Sequence, residues 1–363
     1  MVTLQKNNSK ILHQQMTERS ETHRKLDAFS QHLLDACRFV LVSPSLSANI
    51  GSAVRALTTM GIPDLMVAAP RDAAFREDAG ALALAAGAEA RLAQVGSRPG
   101  LDAALADCQL AVAVSAEGRE FGPPPAFPGP LCAEVLAMLS AGQVQRVAFV
   151  FGTERTGLGT AEMARCQRWL TIPADADYSS LNLAQAVQIV AFSLRQAVLE
   201  REAARAMTRG ESASGGAPSA ELARAVDGYP TDVCGREDAA SPAAGVRHDG
   251  SRGPRSGERL ADLGAVEGLV RHAESSLAAL GTLDPARPRR LMARLRHLFG
   301  RTSLTAAEVD PPRGICRDID RWTKCAQSAA TGSAMPSAKD MTWPRGGVEA
   351  SPSVQSLSTQ RVR

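Results

Sequence analysis

Three short polar strings in this chain carry the residue types from which a ligand site can be built. They are Asn49-Ile-Gly-Ser-Ala-Val-Arg55, Phe151-Gly-Thr-Glu154-Arg-Thr-Gly-Leu158 and Tyr178-Ser-Ser180-Leu-Asn182-Leu-Ala-Gln. Arg55 offers a permanent cation whose fork of donors suits an oxyanion or a phosphate. Glu154 is an acceptor that can orient that arginine or take backbone amides. Ser179, Ser180 and Asn182 can bond a polar ligand or cap a helix. Gly51 permits close approach of backbone, and Gly152 leaves room for the edge of a ligand. Each string taken alone is also an ordinary helix entry, with Ser47 or Asn49 capping one helix, Ser179 or Ser180 another, and Glu154 in a surface ion pair of little energetic weight.

Other chemistries find no support. The seven cysteines are odd in number, scattered and never spaced Cys-x-x-Cys, which indicates neither a disulfide framework nor a zinc site and fits a reducing compartment. No His/Cys/Asp cluster suggests a metal, no Walker-type loop suggests nucleotide hydrolysis, and no Gly-x-Gly-x-x-Gly follows the first apolar run.

The strings stand where apolar runs stop. Runs at 39–42, 65–69, 110–114, 147–151 and 169–172 alternate with helical patterns at 50–60, 79–86, 101–106, 131–139, 161–166 and 181–200. Short runs that are apolar on both faces and separated by helices predict a parallel sheet covered on two sides. The helix after Tyr178 carries the strongest periodicity, with Leu183, Val187, Val190, Leu194 and Val198 on one stripe.

At 363 residues and 44% hydrophobic content the chain can bury a large core, while its net charge of +3 says little about partners. Charge distribution says more. Residues 287–301 hold Arg289, Arg290, Arg294 and Arg296 with no acid, the best candidate for touching phosphates. The N-terminal residues lack the apolar core of a signal peptide, and no stretch is long and apolar enough to span a membrane, so a cytoplasmic protein is expected. The organisation expected is a loosely ordered extension (1–36), a catalytic domain (37–207), a Gly/Ser/Ala/Pro-rich linker (208–258), a helical part (259–330) and a disordered tail (331–363). In the helical part, helices are expected at 266–280 and 288–299, with shorter ones at 306–309 and 314–323.

In this order the three strings resemble the signature motifs of the SPOUT superfamily of RNA methyltransferases. The Phe-Gly-x-Glu-Arg-x-Gly-Leu and Tyr-Ser-Ser-Leu-Asn-Leu-Ala-Gln-Ala-Val forms resemble the TrmJ family, strongly from Arg38 to Glu200 and more weakly from Ala265 to Arg321. The resemblance implies a SPOUT-type parallel sheet with a C-terminal trefoil knot, closed by the helix after Tyr178, and a small helical C-terminal part. It implies a homodimer with the site at the subunit interface, and S-adenosylmethionine-dependent methylation of the ribose 2′-hydroxyl of cytidine or uridine at nucleotide 32 of tRNA.

For the site it implies Arg55, Glu154, Ser180, Asn182 and Asn49 as catalytic residues. Val114, Ser115, Ala116, Gly152, Ile172, Ser179, Ser180 and Leu181 are implied to hold the cofactor, with Val114 where the family has Thr. Arg119 and the 289–296 arginines are implied to touch RNA, and no metal is implied. Because a guanidinium rarely gives up its proton, Arg55 is assigned to electrostatic stabilisation of the 2′-oxygen. The competing readings are a SPOUT 2′-O-methyltransferase acting on ribosomal RNA or another tRNA position, and a catalytically inactive RNA-binding protein of the same fold.

Overall fold

The computed structural model describes residues 25–116, 124–208, 258–284 and 290–330. Seven parallel strands form one sheet: β1 (Cys37–Val42), β2 (Asp64–Ala68), β3 (Gly96–Arg98), β4 (Leu110–Val114), β5 (Pro125–Ala126), β6 (Val147–Phe151) and β7 (Arg168–Leu170), in the spatial order β3-β2-β1-β6-β4-β7-β5. All residues of β1, β4 and β6 are buried, as a sheet covered on both faces requires. Alternation divides the core: Phe39 and Leu41 of β1 join one apolar cluster, Val40 and Val42 the other. On the first face Phe39 stacks on Phe149 and Phe151, with ring centroids 5.4 and 5.6 Å apart.

The helices of this layer are α1 (Ala28–Asp35), α2 (Ser47–Met60), α3 (Ala79–Ala85), α4 (Glu89–Leu92), α5 (Leu101–Leu105), α6 (Pro128–Ser140), α7 (Thr160–Met163) and α8 (Leu183–Thr208). The expected α/β architecture is present, with differences at its margins. Helix α1 falls inside the segment expected to be a loose extension, yet it has Asp27 as its cap and buries Leu33 and Leu34 in the main core. Leu26, Phe29, Leu33 and Leu34 do recur at helical spacing, but the polar residues around them hide that this short helix packs on the core. Edge strands β3 and β5 are only three and two residues long, too short for an alternation signal. All five residues of the apolar stripe on α8 are buried.

The chain resumes at residue 258 with α9 (Leu263–Ala279), α10 (Leu291–Thr302) and α11 (Ala306–Ala330). The two short helices expected after Thr305 are one continuous helix, α11, with Pro311 and Pro312 inside it. Each proline removes one N–H and leaves a carbonyl a turn earlier without its usual donor, but both sit near the helix start, so most of the ladder survives.

This part is docked on the α/β domain. The N–H groups of Leu260 and Leu263 donate to the carbonyls of Gln143 and Cys108 at 3.0 and 2.8 Å. Arg165 pairs with Asp102 at 2.6 Å and with Glu267 of α9 at 3.5 Å, and Glu267 pairs with Arg296 of α10 at 2.9 Å. A Cβ on Gly264 would stand 2.8 Å from the Ala106 carbonyl oxygen, so glycine is what lets α9 approach so closely. Among the described residues no helix is long and apolar enough to cross a membrane. The linker, the tail and residues 1–24 lie outside the described residues.

Candidate active site

The sheet order reverses around β6: β1, β2 and β3 run out one way, β4, β7 and β5 the other. The crevice beyond the carboxyl ends of strands at such a reversal is where an open α/β sheet leaves room for a ligand. A pocket of about 320 Å³ lies there, formed by the loops after β4, β6 and β7 and the start of α8. Its walls include Val114, Ser115 and Ala116 after β4, Gly152 and Glu154 after β6, and Ile172, Ser179, Ser180 and Leu181 after β7. Every residue expected to hold the cofactor is therefore at one cavity, although up to 67 positions separate them in sequence, from Val114 to Leu181.

The loop after β6 folds on itself. Thr153 and Gly157 exchange backbone hydrogen bonds at 3.2 and 3.0 Å, with Gly157 at φ +61°. A Cβ on Gly152 would lie 2.0 Å from the Gly157 carbonyl carbon. The face of Gly152 that a side chain would occupy is thus taken by the returning backbone of its own loop, while the residue itself still lines the pocket. Gly51 has the role expected of it, since a Cβ there would meet the Ala81 carbonyl oxygen of α3 at 2.0 Å.

A relay of side chains ties the three polar strings together. Asn49 Nδ2 donates to Glu154 Oε1 at 2.8 Å, Asn182 Nδ2 donates to Asn49 Oδ1 at 3.2 Å, and the Ala184 N–H donates to Asn182 Oδ1 at 2.9 Å. Glu154 also accepts from the N–H groups of Ser45 and Leu46, at 2.8 and 3.3 Å, just ahead of α2. A carboxylate more than 100 residues away in sequence thus satisfies donors at the entry to α2.

The caps differ from expectation for the same reason. Neither Ser47 nor Asn49 caps α2: both lie inside it, and Asn49 is only 8% exposed. Asn182, rather than Ser179 or Ser180, caps α8, which leaves the two serines on the pocket wall.

Partial burial raises the pKa of Glu154, but the hydrogen bonds from Asn49, Ser45 and its own loop together outweigh that, and the carboxyl sits below its ordinary value. An ionised carboxylate whose oxygens already hold three donors is a poor proton acceptor, so Glu154 acts by holding the loops in place. It does not orient Arg55. That residue is on the exposed side of α2, lines none of the pocket, and its guanidinium has no hydrogen bond to a described residue.

Thr153, Arg155, Thr156, Leu183 and Ala186 also line the pocket and were not anticipated. Their proximity to Gly152 and Leu181 was the available signal. Trp169 is a further one: its indole N–H donates to the Ser115 carbonyl at 2.9 Å and so holds the pocket's β4 wall from behind.

Of the arginines expected to touch RNA, Arg290 and Arg294 are exposed, whereas Arg296 is committed to Glu267. Arg119 and Arg289 lie outside the described residues. Among the described residues no group of three or more His, Cys, Asp or Glu side chains is gathered to hold a metal ion.

Comparison with known proteins agrees with this layout. Residues 36–192 match the model of the SpoU rRNA Methylase family, and residues 264–329 match that of the tRNA methyltransferase TrmJ C-terminal domain. The chain is 33% identical over 303 residues to a tRNA (cytidine/uridine-2′-O-)-methyltransferase TrmJ of Yersinia enterocolitica, covering 83% of this chain and 98% of that protein. It is 31% identical over 289 residues to a tRNA (cytidine/uridine/adenosine-2′-O-)-methyltransferase TrmJ of Pseudomonas aeruginosa, covering 80% of this chain and 95% of that one. The crystal structure of TrmJ from Z. mobilis ZM4 superposes with a TM-score of 0.56 at 25% identity, over 78% of this chain and 98% of that one.

Proposed function

The chain belongs to the TrmJ family of methyltransferases, and from that premise we propose that it transfers a methyl group from S-adenosylmethionine to the ribose 2′-hydroxyl of cytidine or uridine at nucleotide 32 of tRNA. The observation that carries the reading is the pocket beyond β4, β6 and β7, where all eight residues implied to hold the cofactor meet. Its size falls in the usual range for small-ligand sites, about 300–1,000 Å³. Its lining suits the group: backbone of residues 114–116 and hydroxyls of Ser179 and Ser180 for polar edges, with Ile172, Leu181 and Leu183 for an adenine face. Bound there, S-adenosylmethionine supplies a methyl group on a cationic sulfur, open to attack by an oxygen nucleophile.

The protein's own residues then have distinct tasks. Asn49, Glu154 and Asn182 fix the three loops to one another. Ser180 faces the pocket as a donor or acceptor for cofactor or ribose. Arg55 stabilises negative charge as the 2′-oxygen loses its proton. Since Arg55 is turned away from the pocket of its own chain, the proposed homodimer is what brings it to a site. Exposed apolar side chains on the loops that enter α2 and α8, and on α8 itself, support such an interface: Leu46 is 60% exposed, Tyr178 79% and Phe192 54%. The trefoil knot belongs to the same proposal. So does RNA binding by Arg290 and Arg294 on α10, with Arg119 and Arg289, and so does a cytoplasmic location.

The test is methyl transfer by the purified protein to a tRNA transcript, beside the same transcript with a 2′-deoxynucleotide at position 32. Transfer to the first and not to the second is the expected result. Equal transfer to both would move the target to another position, and no transfer to tRNA would leave ribosomal RNA or a non-catalytic role. Arg55→Ala should abolish turnover with cofactor affinity retained, and an active Arg55→Ala enzyme would remove that residue from the chemistry.

A further inference from the structure

A second cleft, of about 440 Å³, lies between the β5 edge of the sheet and helix α10, and the proposed methyl-transfer site does not use it. Its wall is apolar and partly aromatic, with Leu131, Met163 and the half-buried Trp169. Its rim carries two arginines, Arg168 and Arg301, beside the imidazole of His297, and Glu134 is the one acid among its lining residues. Glu134 is already paired with Arg168 at 3.0 Å. Arg301, exposed in the last turn of α10, has no ion pair with a described residue.

An apolar wall with an aromatic ring beside cations is the combination that takes a nucleotide, the base against the ring and the phosphate at the cations. The position adds to the composition. Trp169, which lines this cleft, donates its indole N–H to the carbonyl of Ser115, which lines the methyl-transfer pocket. The walls of the two cavities therefore meet at this hydrogen bond, which makes them neighbours on the molecule.

We infer that the cleft receives an unpaired nucleotide of the RNA substrate, with its base against Trp169 and Met163 and its phosphate at His297 and Arg301. The inference rests on the RNA-methyltransferase reading above and adds a second point of contact to it. It also divides the labour on α10: Arg296 holds the helix to α9 through Glu267, and His297 and Arg301 face the strand.

The decisive variant is Ala293→Trp in the full-length protein. Ala293 is exposed on α10 and lines the cleft, so an indole there fills it without altering the charge of the helix or the core. Affinity for the tRNA transcript should fall about tenfold or more, from the lost stacking of one base, with S-adenosylmethionine affinity and thermal stability unchanged. The double variant His297→Ala/Arg301→Ala should weaken binding and flatten its dependence on salt concentration by about one counterion, that of Arg301.

Wild-type tRNA affinity in a folded Ala293→Trp protein overturns the inference. So does saturable binding of uridine monophosphate to the wild type that is lost in Ala293→Trp while tRNA affinity is the same in both, which would assign the cleft to a free nucleotide. Failure of the functional reading is recognised separately, by absence of methyl transfer from the wild-type protein to tRNA.

Discussion

Replacing Asn49 by alanine removes the middle of the relay that ties the three loops together. Two hydrogen bonds are lost, Asn49 Nδ2 to Glu154 at 2.8 Å and Asn182 Nδ2 to Asn49 Oδ1 at 3.2 Å. A bond to a charged partner contributes about 1.5–3 kcal/mol and a neutral one about 0.5–1.5 kcal/mol. Glu154 keeps its two backbone donors, and it and the exposed Asn182 can take up water in the variant, so the lower ends apply. Their sum is about 2 kcal/mol, which in a domain of this size lowers Tm by roughly 4–8 °C.

The effect on function should be larger than that on stability, because the loop that carries Ser179 and Ser180 is no longer tied to α2. Calorimetry with S-adenosylmethionine and initial methyl-transfer rates should show weaker cofactor binding and slower turnover. Asn49→Asp supplies the control. It sets a second carboxylate against Glu154 Oε1, so it should be worse than alanine at pH 8 and recover towards pH 5 as the pair takes up one proton. Wild-type Tm, cofactor affinity and turnover in both variants would refute the claim that the relay holds the site.

Other consequences are open to measurement. Gly152→Ala forces a methyl group into the backbone at Gly157, 2.0 Å away, and should destabilise the protein by about 3 kcal/mol or more; a soluble variant of normal Tm would show that the loop relaxes freely. Glu267→Gln takes the shared partner from Arg165 and Arg296 and should destabilise docking of the C-terminal part by about 2 kcal/mol, less than for a fully buried pair. Amide exchange should rise in α9 and α10 and not in the sheet, and an unchanged exchange pattern would contradict that role for Glu267. Because the folded-state pKa of Glu154 is depressed, its stabilisation is fully present above the ordinary value of 4.5 and is lost as pH falls through the lower folded value. The Tm difference between wild type and Glu154→Gln should therefore be flat above about pH 5.5, a little over one unit above that ordinary value, and shrink in acid; a difference that shrinks between pH 6 and 8 would mean that the carboxyl is not held low.

What the sequence determined by itself is whatever repeats locally or is built from contiguous residues. The strands around Phe39, Val112 and Phe149, the buried stripe of α8 and the three polar strings are of this kind, since alternation, helical spacing and strings of side chains exist before the chain folds. Tertiary structure decided the rest because the partners are remote. The chain entering α2 is held by Glu154 through the N–H groups of Ser45 and Leu46, so nothing near Ser47 announces it. Asn182 prevails over Ser179 and Ser180 as the cap of α8 while its amide reaches across to Asn49. Helix α1 has a helical pattern in Leu26, Phe29, Leu33 and Leu34, but that Leu33 and Leu34 join the core is decided by the distant elements they pack on. Arg296 looks from sequence like a free cation for RNA, but in the fold it is paired with Glu267 of α9. Periodicity reports which face of an element is apolar; which distant group meets that face is fixed only when the sheet order and the loops bring them together.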